Sequence, residues 1–172
     1  MSKSLKRVRA ALEAAGKEID IRETDGARTA QMAADAVGCD VDQIAKSIVF
    51  QNADTGEVVL FLTAGGRQVD PHAAEALLGA PLTRADATVV RTQTGFAIGG
   101  VSPVGHLSPI QAFMDTRLTE FAPNWAAAGT PNHVFCLSPG DLEQISGAHT
   151  FTLPPQKKKN SQQINKPKKN KK

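Results

Sequence analysis

Apolar positions recur at two periods along the chain, and the switches between them mark out the elements. Leu5, Val8, Leu12 and Ala15 follow helical spacing between a capping Ser4 and Gly16, which predicts an amphipathic helix. Glu18-Ile19-Asp20-Ile21-Arg22 then alternates as a strand does, and Thr29 to Val37 predicts a second, alanine-rich helix stopped by Gly38. Asp40-Val41-Asp42-Gln43 has the cap and third-position glutamine of a helix start, a helix expected to run through Ile44 to Lys46. Ser47 to Gln51 and Glu57 to Leu62 are apolar, β-branched runs joined by Asn52-Ala53-Asp54-Thr55-Gly56, so they predict a hairpin. The second run is almost continuously apolar, as expected of a central strand covered on both faces. Asp70-Pro71 opens a helix that Gly79 ends, and Thr83 to Val90 predicts another short one. Pro109 to Asp115 and Asn132 to Leu137 read as strands, and Ser138-Pro139-Gly140-Asp141 opens a last helix that Gly147 closes. Helices interspersed with hairpin-like joins predict an α/β fold with a mixed, largely antiparallel sheet flanked by helices.

One stretch breaks both periods. Thr94-Gly95-Phe96-Ala97-Ile98-Gly99-Gly100-Val101-Ser102-Pro103-Val104-Gly105-His106 is too apolar for a solvated linker and too rich in glycine for a regular element. It reads as a shaped backbone loop lining a pocket, in which Gly99 and Gly100 leave their amides open to a ligand oxygen while Pro103 holds Ser102 extended. Two enzymatic motifs come close to it and fail. Gly100 to Gly105 has the gap of a phosphate-cradling loop, but His106-Leu107 stands where Lys-Ser/Thr is needed. Gly100-Val101-Ser102-Pro103-Val104 approaches a nucleophile elbow, but Val104 replaces the second glycine, and Pro103 cannot supply the oxyanion N–H expected after the serine.

Charge divides the chain at its end. Residues 156–172 hold eight lysines and no acid, whereas residues 1–155 hold 12 Lys+Arg against 17 Asp+Glu, a formal charge of −5. The division predicts one domain over 1–155 and a disordered, lysine-rich tail over 156–172, a polycation suited to RNA phosphates first, and otherwise to an acidic membrane or to no specific partner. A domain this acidic is expected to bind nucleic acid weakly without that tail or a protein partner. No apolar run reaches membrane-spanning length and the N-terminus lacks a signal-peptide core, so the sequence predicts a cytoplasmic protein that meets no membrane. Cys39 and Cys136 are isolated and read as reduced, buried thiols.

Candidate chemistry is sparse. Lys46 is the sole lysine between Lys17 and Lys157, and its functional reading is a cationic contact for a phosphate or carboxylate near the loop. His106 ends the loop and His133 opens a strand, and each is a candidate donor or base. The four histidines share no metal-ligand spacing, so neither a metal nor an organic cofactor is expected. Asp115 and Glu120 have nothing that ties them together as a catalytic pair.

Three segments occur in a recognisable order: Ala45-Lys46-Ser47-Ile48-Val49-Phe50, the 94–106 loop, and Gly129-Thr130-Pro131-Asn132-His133-Val134-Phe135-Cys136-Leu137-Ser138-Pro139. Together they resemble the YbaK/ProXp family of free-standing aminoacyl-tRNA deacylases, relatives of the editing domain inserted in bacterial prolyl-tRNA synthetase. The likeness spans roughly residues 1–150 and excludes the lysine tail. It implies trans-editing, the hydrolysis of the ester joining a wrong amino acid to tRNA, typically proline tRNA, with prolyl-tRNA synthetase as a possible partner. The family's Gly-x-x-x-Pro signature corresponds to Gly99-Gly100-Val101-Ser102-Pro103, whose amides would polarise the ester carbonyl. Its lysine corresponds to Lys46, which would hold the 3′-terminal nucleotides. Ser47, Phe96, Ile98 and His133 would shape the substrate pocket. The alanine-specific branch carries asparagine after the lysine where Ser47 stands here, which leaves cysteine, alanine, serine, threonine and 2-aminobutyrate as cargo. Rival readings are a non-catalytic tRNA- or synthetase-associated module of the same fold and a serine hydrolase built on Ser102.

Overall fold

The computed structural model describes residues 2–153; the predicted tail lies outside them. The apolar run at its centre, β3 (Val58–Ala64), is buried at every position. Leu60 and Leu62 go to one face with Ala112 and Met114, while Val59 and Phe61 go to the other with Phe113 and Phe151. This is the both-faces-covered strand that the sequence predicts. It pairs antiparallel with β2 (Ile44–Asn52) and parallel with β5 (Gln111–Asp115). Beyond β5 lies β8 (His149–Phe151), also parallel.

On its other side β2 meets two strands. Its start runs parallel to β6 (Asn124–Ala127), which continues antiparallel to β7 (His133–Leu137) and then to β1 (Ile21–Glu23). The end of β2 pairs antiparallel with β4 (Leu82–Arg84). The result is a mixed eight-stranded sheet in which four of the seven strand pairings are antiparallel.

Among the described residues five α-helices cover the sheet. The helix α1 (Lys3–Ala14) buries Leu5, Val8 and Leu12, and its cap is Ser2, whose Oγ accepts from the Leu5 amide at 3.0 Å, rather than Ser4. Thr29 caps α2 (Ala30–Val37), which packs Ala33 and Ala34 on Trp125 and Val134. Asp70, Asp86 and Ser138 cap α3 (Pro71–Leu78), α4 (Ala87–Thr94) and α5 (Pro139–Ser146), as N-terminal carboxylates and hydroxyls do.

Three sequence expectations are corrected. The Asp40 capping box forms, yet it starts a single 3-10 turn (Val41–Gln43), because Ile44 is drawn into the core beside Trp125 and the chain turns to strand there. Lys46 therefore lies inside β2 rather than at a helix end. The segment expected to be helical from Thr83 splits at Asp86, whose carboxylate accepts from the Thr88 amide at 3.0 Å: strand precedes it and helix follows. Strands β6 and β8 are additions of four and three residues. No helix among the described residues is long and apolar enough to cross a membrane.

A candidate active-site cleft at a split sheet edge

Strand β6 leaves β2 after Ala45, and β4 joins the same side of β2 only at Phe50, so residues 46–49 have no strand partner on that side. A cleft of about 820 Å³ opens over this unpaired edge. Main-chain hydrogen-bonding groups that would complete a ladder face it instead. Alternation along β2 sends Ala45, Ser47 and Val49 toward the α1 side, and Lys46 and Ile48 toward the opposite face.

The glycine loop crosses the Ser47 side. Its two ends are tied to each other where the amides of Leu107 and Ser108 donate to the carbonyls of Thr94 and Gln93, at 3.2 and 3.1 Å. Arg7, on α1, closes it further, with Nη2 donating to Gly95 O at 2.6 Å and Nε to Gly105 O at 3.0 Å. The guanidinium also lies over the Phe96 ring, its Cζ 4.6 Å from the centroid. Arg7 is the residue that sequence reasoning misses. A lone arginine on a predicted amphipathic helix reads as solvated, and no local pattern announces a contact 98 residues away.

Within the loop the expected donors separate. The Gly100 amide closes a turn on Ala97 O at 2.9 Å, so it is not the open donor that the sequence predicts. Gly100 is glycine for another reason, since a Cβ there would lie 2.8 Å from the carbonyl carbon of Thr130. Gly99 has φ +95° and open space where a side chain would project. Among the described residues no carbonyl receives the amides of Gly99, Val101 or Ser102. Gly99 and Val101 line the cleft. Pro103 is buried behind them and contributes no amide.

Ser102 is fully buried. Its Oγ accepts from the Val104 amide at 3.1 Å, and its carbonyl accepts from His106 Nε2 at 2.6 Å. A carbonyl can only accept, so His106 carries its proton on Nε2. Burial, with Arg7 nearby, holds the imidazole below its ordinary pKa, partly offset by the bond to Ser102. His106 therefore braces the loop from beneath. Phe96, expected in the pocket wall, is likewise fully buried between Arg7 and His106. Ile98 remains at the cleft mouth, 53% exposed. Ser47 lines the cleft, and its hydroxyl donates to Val101 O at 2.8 Å, tying β2 to the loop.

Lys46 reaches the same cleft from the other face of β2. Its ammonium donates to Arg67 O at 2.7 Å and, more weakly, to Gly65 O at 3.4 Å, leaving one N–H for a ligand. Burial lowers its pKa, with Asp42 opposing the shift. His133, at the start of β7, lines the far wall with Nδ1 at 2.7 Å from Thr130 Oγ1. Two further cations that the sequence analysis passes over, Arg28 and Arg84, also line it. No Asp or Glu does. The acidic domain thus carries a cleft of the opposite sign. Among the described residues no cluster of His, Cys, Asp and Glu is arranged to hold a metal ion.

The split mixed sheet is the fold of a known family. The aminoacyl-tRNA editing domain model matches residues 24–145, and the chain belongs to that family. A crystal structure described as "a putative trans-editing enzyme for prolyl tRNA synthetase" is 42% identical, with a TM-score of 0.83 over 91% of this chain and 99% of that one. The hypothetical protein APE2540 is 25% identical, with a TM-score of 0.75 over 84% and 96% of the two chains. The uncharacterized protein YwhH of Bacillus subtilis (strain 168) is 30% identical over 144 residues, 83% of this chain and 91% of its own.

Two outcomes follow from this geometry. Gly100→Ala forces the loop from the Thr130–Pro131 backbone and lowers stability by about 1–3 kcal/mol in urea unfolding. Gly140→Ala, on α5 with nothing within 4 Å, raises it by up to about 1 kcal/mol. The lowered pKa of His106 means that the unfolded chain binds the proton more readily. Its contribution is therefore present above the ordinary histidine value of 6.5 and is lost as pH falls from there toward the folded value. The loss of stability between pH 7.5 and 5.5 should be smaller in His106→Gln, which keeps a donor for Ser102 O.

Proposed function

We infer that the protein is a trans-editing deacylase that hydrolyses the ester of mischarged aminoacyl-tRNA, with proline tRNA bearing a small wrong amino acid as the preferred substrate. The observation that carries this reading is the imbalance in the cleft: Arg28, Lys46 and Arg84 line it without a carboxylate, in a domain that is otherwise acidic. Such a lining attracts the phosphates of a nucleic-acid 3′ end and repels little of it. The unpaired amides of Gly99 and Val101, on residues that line the cleft, would bond the ester oxygen, and each such donor is worth about 2.7–4 kcal/mol of transition-state stabilisation in comparable hydrolases.

Nucleophiles are absent from this scheme. The Ser102 hydroxyl is buried, that of Ser47 is committed to Val101 O, and no cleft carboxylate is available as a base. An aminoacyl ester is already activated, so water is a sufficient attacking group when the carbonyl is polarised, and the ribose hydroxyl beside the ester is positioned to assist it. Water oxygen bonds to the acyl carbon, the ester C–O bond breaks, the ribose oxygen takes a proton, and the amino acid leaves as a carboxylate. Lys46 binds a phosphate or ribose oxygen through its remaining N–H. The small lining residues Ala45, Val49 and Ala126 favour a short side chain.

Incubation with proline tRNA charged with alanine, cysteine, serine, threonine or 2-aminobutyrate tests the assignment through the half-life of each ester. At least one should be shortened, and Lys46→Ala should slow that reaction about 10- to 100-fold, as expected for loss of one charged hydrogen bond. Ser102→Ala should retain turnover in the fraction that stays folded. Binding without ester loss on any substrate would favour a non-catalytic module, and abolition by Ser102→Ala with Lys46→Ala active would favour a serine hydrolase.

A further inference from the structure

The cleft is lined by cations and by no carboxylate, and this bears on the α-nitrogen of the cargo. Ammonium groups are held in proteins by carboxylates or by several converging oxygens. In and behind this lining several oxygens are bonded to the protein's own donors. Gly65 O and Arg67 O receive Lys46, Val101 O receives Ser47, Ser102 O receives His106, and Ala97 O receives the Gly100 amide. Thr29 Oγ1 accepts from the Met32 amide, and Thr130 Oγ1 is engaged by the Asn132 amide and His133. The remaining acceptors, such as main-chain oxygens along the unpaired 46–49 edge and the Gln31 carboxamide oxygen, are neutral dipoles that serve an uncharged amine or a hydroxyl as well as an ammonium.

The charged and titratable groups facing the cleft are Arg28 ahead of α2, Lys46 on β2, Arg84 on β4 and His133 on β7. Acids close to them in the chain or in strand register stay out of the lining: Asp42 binds the Gly66 amide at 2.8 Å and Arg117 at 3.0 Å, Asp86 caps α4, and Glu23 lies opposite His133 in the β1–β7 register. An α-ammonium in this cleft would meet cations of its own sign and no carboxylate in the lining, the nearest acid at the Lys46 wall, Asp42, being held by Gly66 and Arg117.

We propose that the cleft accepts the acyl ester with its α-nitrogen uncharged and does not use that nitrogen for recognition, so that α-hydroxyacyl-tRNA is a second class of substrate. The reaction is the same hydrolysis: water adds its oxygen to the acyl carbon, the ester C–O bond breaks, one water proton regenerates the ribose hydroxyl, the other passes to solvent, and an α-hydroxy acid leaves as its carboxylate. The inference rests on the deacylase reading above.

The experiment uses the full chain and two esters on one proline tRNA, alanyl and its isostere lactyl, with kcat/KM measured between pH 6 and 9 and corrected for spontaneous hydrolysis. Lactyl-tRNA should be cleaved within about tenfold of alanyl-tRNA above the amine's pKa, about 7.7–8.0 for an ordinary α-amino group. Below it the alanyl-to-lactyl ratio should fall about tenfold per pH unit as the ammonium form accumulates. Cleavage of alanyl-tRNA with lactyl-tRNA resistant, or a ratio constant or rising toward low pH, overturns this inference and leaves the deacylase reading intact. If the mischarged panel shows no ester loss and lactyl-tRNA is also spared, the deacylase reading is overturned and this inference with it.

Discussion

The contact between Arg7 and the two ends of the 95–105 loop is the constraint on which the site depends. A loop this rich in glycine loses much conformational entropy on ordering, and its apolar residues alone do not fix one shape. A planar guanidinium bonded to Gly95 O and Gly105 O, and laid over Phe96, fixes the span between them. His106 adds a brace from below through Ser102 O, and Ser47 adds one from the sheet through Val101 O. With both ends and the middle held, the amides of Gly99 and Val101, on residues that line the cleft, stay without a main-chain acceptor among the described residues.

The sheet supplies the other half. Sheets rarely leave the middle of an interior strand without a neighbour, since unpaired main-chain groups are costly when buried. Here β6 and β4 take opposite ends of one edge of β2, and the gap between them becomes the cleft floor. The alternation of a strand then places Lys46 and Ser47 on opposite faces, so one strand presents a cation to one wall and a loop anchor to the other. The opposite edge of β2 stays continuously paired to β3, whose two-sided core keeps this open strand in place.

Much of this was legible in residue patterns, and the failures have physical causes. The buried run 58–62, the capped helices at Asp70 and Ser138 and the odd composition of 94–106 all announced themselves locally. The helix expected through Lys46 was lost because Ile44 gains more by burial beside Trp125 than the Asp40 cap gains by extending a turn. Strands β6 and β8 are too short to show alternation, and β4 has only Leu82 to mark it. At the site, residue types located the loop and Lys46 but could not tell which glycine keeps a free amide. Gly99 and Gly100 look alike in sequence, and only the close approach of Thr130 and the turn on Ala97 separate their roles. Arg7, Arg28 and Arg84 were hidden because a charge is usually solvated, and their convergence is a property of topology.

The most direct test of the central claim is amide chemical-shift perturbation in the ¹⁵N-labelled protein titrated with a non-hydrolysable 3′-aminoacyl-adenosine analogue. The account predicts that the Gly99 and Val101 amides move downfield as they bond to the acyl oxygen, while the Gly100 amide, already paired with Ala97 O, responds little. Saturable binding that leaves Gly99 and Val101 unshifted, or that moves Gly100 most, would contradict it.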